Sequence, residues 1–226
     1  MDLLLIAGLW LDASAWDAVV PELEKRGHHA IPVTLPGQGD GRDTATLDDQ
    51  IEAVLAAVDA AERPFVVGHS AAATLAWLAG DRRPDRVHGL ALIGGFPSAP
   101  GEAYADFFPT ADGAMPFPGW EPFDGPDSAD LDEAGRAAIA ERALAVPEGV
   151  AKGTVHYLDD RRYAVPVVLV CPEFSPEQAK EWLEAGELPE LARAHHLEYA
   201  DIDSGHWPMF TKPAELAGLL AAVAHP

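Results

Sequence analysis

The chain has 226 residues, enough to bury roughly 70% of its unfolded surface around one substantial core. Its formal net charge of −22 repels phosphate backbones and anionic lipid surfaces, so nucleic acid and membranes are not expected partners. A single cysteine, Cys171, excludes an internal disulfide, and no apolar run approaches the roughly 20 residues needed to span a bilayer.

Met1 is followed by Asp2 and then Leu3-Leu4-Leu5-Ile6, which lacks the basic segment and the length of a secretory signal; an intracellular, cytoplasmic protein is expected. Leu3 to Ala7 is uninterrupted apolar sequence, the mark of a parallel strand covered on both faces. Gly8 to Ala13 forms a loop. Ser14, with Asp17 three residues on, predicts a capped helix whose Trp16, Val19, Val20 and Leu23 share a face and which ends at Gly27. His29 to Leu35 reads as a second strand, near an edge because Pro32 cannot donate to a ladder. Pro36 to Gly41 is a glycine-rich loop, and without a following Lys-Ser/Thr pair it is not read as a phosphate cradle.

Thr46 caps a helix carrying Leu47, Ile51, Val54, Leu55 and Val58 at helical spacing, and Arg63-Pro64 stops it. Next comes Phe65-Val66-Val67-Gly68-His69-Ser70-Ala71-Ala72-Ala73: an apolar strand, a sharp bend, then an alanine-rich helix that ends near Gly80 and Pro84. Val87 to Ile93 is a fourth strand. Four alternations of strand and helix with short connections predict an α/β fold, a mostly parallel sheet with helices on both faces.

The alternation breaks over residues 96–162, where prolines are interleaved with Tyr104, Phe107, Phe108, Phe117, Trp120 and Phe123. An irregular stretch of this length within one domain reads as a cap or lid insertion. Within it Ser128 to Leu144 and Val150 to Leu158 are predicted helices. Val165 to Val170 resumes the sheet, Ser175-Pro176-Glu177-Gln178 starts a helix with a capping box, and Leu197 to Ile202 is the last strand, giving about six. Pro213 opens a terminal helix. Cys171, at the end of an apolar strand, reads as an inert core thiol.

A serine on a strand-to-helix turn projects its hydroxyl from the sheet beside the free N–H groups of the helix start. Ser70 is so placed, although serine at a helix start is also a common cap. A serine alcohol needs a base, and neutral imidazole is the usual one. Of nine histidines, His28, His29, His195 and His196 sit where helices hand over to strands, on the opposite rim, and are expected to be solvated. His225 is in the tail, His88 opens a strand and His156 lies in the insertion. His206 alone follows the C-terminal end of a strand in a glycine-bearing loop, at the sheet edge where ligands bind. His69 adjoins Ser70 but is expected to point away from its target. No His-x-x-x-His or Cys-x-x-Cys spacing occurs, so no metal or other cofactor is expected.

The order strand, Gly68-x-Ser70-x-Ala72, insertion, strand, then Asp203-Ser204-Gly205-His206-Trp207-Pro208-Met209 resembles the α/β-hydrolase fold superfamily, most of all its small esterase and hydroxynitrile-lyase-like members. The resemblance covers essentially the whole chain except the insertion. It implies Ser70 as nucleophile and His206 as base. It also implies an oxyanion hole from the backbone N–H groups of Leu9 and Ala71, with Ala7-Gly8 standing where the family has His-Gly. The family's acid usually lies just beyond the penultimate strand, where this chain has Ser175. Glu173 is the first candidate to orient His206, with Asp203 and Glu177 behind it. Trp10, Trp16 and Trp207, with the insertion aromatics, point to an apolar pocket, Trp10 and Trp207 being the candidate substrate contacts. The expected activity is hydrolysis of an ester, thioester or lactone of a small hydrophobic compound through an acyl-enzyme, by a monomer or homodimer. A lyase or other proton-transfer catalyst on the same fold, or a non-catalytic small-ligand binder, are the alternatives.

Overall fold

Residues 1–224 are described by the computed structural model of the chain; His225, assigned to the tail, lies outside them. The apolar run at the N-terminus forms β1 (Asp2–Ile6), in which Leu3 to Ile6 are fully buried. Its side chains alternate between two cores, Leu4 and Ile6 on one face of the sheet, Leu3 and Leu5 on the other. After a 3₁₀ turn (Ala13–Trp16) come α1 (Val20–Glu24) and β2 (His29–Pro32). Then α2 (Leu47–Ala60), β3 (Phe65–His69), α3 (Ala72–Arg82) and β4 (Gly89–Ile93) complete the first half.

Between β4 and the next long strand the chain forms a short antiparallel pair, β5 (Ala114–Met115) and β6 (Val146–Pro147), with α4 (Glu133–Arg142) between them and α5 (Glu148–Ala151) after. The sheet resumes with β7 (Val167–Cys171), α6 (Pro176–Glu184) and β8 (Leu197–Asp201), followed by α7 (Pro208–Thr211) and α8 (Pro213–Val223). Among the described residues the main sheet has six strands in the order β2-β1-β3-β4-β7-β8. Every pairing in it is parallel. β2, with Pro32, is an edge as expected. Helices α2 and α3 cover one face, and Leu23 of α1 and Leu216 and Leu220 of α8 pack on the other. No helix among the described residues is long and apolar enough to cross a membrane.

Several local expectations are corrected. The first helix is not capped by Ser14: Asp12 accepts the Ser14 N–H at 2.9 Å, and only a 3₁₀ turn forms before α1 starts at Val20, with Pro21 in its first turn. The insertion helix begins at Glu133 rather than Ser128, because the Asp132 carboxylate caps it through the Gly135 N–H at 2.7 Å. The helix expected over Val150 to Leu158 stops at Ala151. Gly153 there lies so close to Leu47 that an added Cβ would approach its side chain to 2.4 Å, and Thr154 turns off to bridge Ala103. The capping boxes at Thr46 with Asp49 and at Ser175 with Gln178 form as read.

Candidate active site

Ser70 follows β3 with φ +56°, a left-handed conformation rare for a residue with a side chain. Its N–H is held by the Ile93 carbonyl of β4 at 2.8 Å, and its own carbonyl accepts from Ala73 at 3.0 Å as α3 begins. The strained turn leaves Ser70 half-buried at the C-terminal edge of the sheet. It also explains the motif: a Cβ on Gly68 would lie 2.2 Å from the Ala72 carbonyl oxygen, so glycine is required there, whereas the Ala72 methyl packs fully buried in the core.

His206 and Glu173 reach the same point from two other strand ends. The Ser70 hydroxyl donates to Nε2 of His206 at 2.9 Å. Nδ1 of the same ring lies 2.7 Å from Oε1 of Glu173. A carboxylate oxygen only accepts, so Nδ1 carries the proton and Nε2 offers its lone pair to the alcohol. Both side chains are 13% exposed, which shields their interaction from solvent. Asp203 and Glu177 are exposed and take no part; Glu177 pairs with Lys180 at 3.9 Å. Ser175, at the family's usual acid position, is spent on the α6 cap.

Gly8 lies against the nucleophile, an ideal Cβ on it falling 2.9 Å from Ser70 Cβ, so the loop carrying Leu9 runs beside the serine. Among the described residues neither the Leu9 nor the Ala71 N–H donates to another protein group. Trp10 adopts φ +62° and is buried, its indole N–H donating to Met115 of the insertion at 3.3 Å. It meets Phe108, Phe117 and Phe123 in tilted and edge-on contacts, while Trp207 packs on Trp120, Phe123 and the His206 ring. Trp16 is fully buried in the core on the other face of the sheet from Trp10. A cavity of about 430 Å³ lies further along, between α4 and the chain following β1, floored by Leu11, Ile139 and Phe210.

The other histidines divide by burial. His29, His156, His195 and His196 are exposed, but His28 is buried, against the expectation of solvation. Cys171 is buried and its thiol is pushed up to about 12 by desolvation, in keeping with a core role. Two contributors escaped the sequence reading. His69 is buried and its Nε2 lies 2.7 Å from the backbone carbonyl of His206. Asp127 of the insertion accepts the His206 N–H through its own carbonyl at 2.7 Å. A signal existed for His69, since a polar ring in a strand buried along its whole length must find a partner; none existed for Asp127, in an aperiodic stretch.

A parallel sheet whose strand ends bring together a strained serine, an imidazole and a carboxylate defines an α/β enzyme scaffold of the hydrolase type. A family model described as the alpha/beta hydrolase family matches residues 3–219, and the chain belongs to that family. The pyrethroid hydrolase of Sphingobium wenxiniae is 34% identical over 108 residues, a match covering 44% of this chain and 38% of that relative's length. An extracellular alpha/beta-hydrolase from a Paenibacillus species superposes with a TM-score of 0.82 at 18% identity, covering all of both chains. A methylesterase from Arabidopsis superposes with a TM-score of 0.75 at 17% identity over 99% of this chain and 98% of its own.

Proposed function

We propose that the chain is a serine hydrolase that cleaves an ester, thioester or lactone of a small hydrophobic compound through an acyl-enzyme. The observation that carries this reading is the continuous line from the Ser70 hydroxyl through His206 to Glu173, at 2.9 and 2.7 Å. Relatives named for pyrethroid hydrolysis and for methylesterase activity support an ester as the bond and an apolar body as the rest of the substrate.

In this reading Ser70 Oγ attacks the substrate carbonyl while His206 Nε2 takes its proton, and the Glu173 carboxylate stabilises the imidazolium that results. The Leu9 and Ala71 N–H groups donate to the oxyanion, each worth about 3 kcal/mol of barrier. Collapse breaks the bond to the leaving group, which takes the proton from His206. Water then attacks the acyl-Ser70 carbonyl, giving its proton to His206, and the serine is released with that proton restored. The insertion serves as the lid, with Trp10 and Trp207 setting the apolar wall of the pocket. Glu173 supplies a carboxylate beyond the penultimate strand, where Ser175 stands at the family's usual acid position.

The test is pre-steady-state kinetics with a p-nitrophenyl ester. A burst of one p-nitrophenolate per chain, lost in Ser70→Ala, is expected; equal turnover in the variant would reject the reading.

A further inference from the structure

We infer that His69 is a positioning residue for the base: its Nε2–H grips the backbone carbonyl of His206 and so fixes where the imidazole meets the Ser70 hydroxyl. This rests on the Ser70–His206 reading above and adds a part that neither the motif nor the resemblance assigned.

The base sits in a loop without regular structure, between the end of β8 and α7. Such a loop cannot by itself hold an imidazole to the tolerance that proton transfer demands. Its backbone is tied at two points beside the ring. On one side the His206 N–H donates to Asp127 O at 2.7 Å; on the other the His206 carbonyl faces His69 Nε2 at 2.7 Å. A carbonyl only accepts, so His69 carries its proton on Nε2.

The second tie has a property the first lacks: His69 is the covalent neighbour of Ser70. Alcohol and base are therefore joined in one short closed circuit, from Ser70 to His69 along the chain, across to the His206 backbone, and back through the His206 ring to Oγ. The spacing of the reacting pair is set within this circuit rather than across the whole fold. The imidazole of His69 is 1% exposed and its centroid lies 4.9 Å from that of His206. An apolar residue would fill the same space in this fully buried strand at no desolvation cost, so the polar ring is explained by the bond it makes. Burial, and then the nearby His206 charge, hold His69 well below the usual histidine range, at about 3. It therefore stays neutral and does not repel the imidazolium formed at His206 in each turnover.

The experiment compares wild type with His69→Leu, His69→Asn and His69→Gln, each checked for folding by circular dichroism. The readouts are p-nitrophenyl ester kinetics and the rate of inactivation by a fluorophosphonate. Leucine fills the space without a donor, asparagine carries an N–H too short to reach, and glutamine places one near the position of Nε2. Expected are a fall in kcat and in inactivation rate of about 100-fold for His69→Leu, with KM little changed, and recovery of most of the rate in His69→Gln. Wild-type rates in His69→Leu, or equal losses in the leucine and glutamine variants, would overturn the role of His69 while leaving Ser70 reactive. If His69→Leu does not fold, His69→Asn carries the test, and a full rate there overturns it. A wild-type chain inert to the fluorophosphonate would overturn the hydrolase reading and this inference together.

Discussion

Glu173 touches Nδ1 of His206 at 2.7 Å from a position two residues ahead of Ser175, the residue that caps the next helix. Ser175, where the resembled family usually has its acid, caps the helix, and Glu173 two residues earlier reaches the ring. Glu173→Gln should keep the ring in place but favour the wrong tautomer. A fall in kcat of about 10⁴-fold with little change in KM is expected. Asp203→Asn and Glu177→Gln, at exposed positions, should match wild type in the same steady-state assay.

The insertion packs against the loop that carries His206, Asp127 O accepting the His206 N–H at 2.7 Å. Gly205 is pressed against it so closely that an added Cβ would lie 2.4 Å from both Asp127 O and an Asp130 carboxylate oxygen. Gly205→Ala should therefore push the insertion off the loop and loosen the bond from His206 N–H to Asp127. Gly205 is not among the glycines with positive φ, so close approach and not backbone strain is what the variant tests. A loss of about 10- to 100-fold in kcat is expected, measured against an unchanged far-ultraviolet circular dichroism spectrum.

Burial of His69 is expected to make the fold acid-labile in a defined window. Its folded-state value of about 3 lies below the ordinary 6.5, mainly through burial. The unfolded chain thus binds a proton that the folded one refuses. Stability should fall as pH drops below 6.5, by about 1.4 kcal/mol per unit from this group, until about 3. His69→Gln removes the titration. Urea melts at a series of pH values should show a shallower acid slope for the variant than for wild type.

Away from the site, Arg162 lies between two buried carboxylates. Its Nε donates to Glu190 at 3.0 Å and its Nη1 to Asp81 at 3.3 Å, with Trp77 and Tyr163 also donating to Glu190. All three ionic side chains are buried. Arg162→Ala would leave Glu190 in the interior without its cation, while Asp81 keeps Arg82 and the N–H groups of Leu158 and Asp159, and a loss of about 3–5 kcal/mol in urea unfolding is expected. The network braces the back of α3 against the end of the insertion, so kcat at low temperature should change little.

Much of this was legible in the sequence because the relevant signals are local. Leu3 to Ile6 and Phe65 to Val67 are continuously apolar, as doubly covered parallel strands must be, and Gly68 and Ser70 mark the turn. His206 was separable from eight other histidines by its place after a strand. The acid was not, since Glu173, Asp203 and Glu177 all lie near strand ends, and only the packing of three loops decides which reaches Nδ1. The insertion was least legible: its helix ends depend on caps such as Asp132 and on tertiary contacts such as Gly153 against Leu47, which leave no mark in the local hydrophobic pattern.

The most direct measurement is mass spectrometry of the Ser70 peptide after rapid acid quench of the enzyme turning over a slow p-nitrophenyl ester. An acyl group on Ser70 is expected, accumulating in wild type and more slowly in Glu173→Gln. Ester turnover with an unmodified Ser70 peptide, sustained in Ser70→Ala, would contradict it.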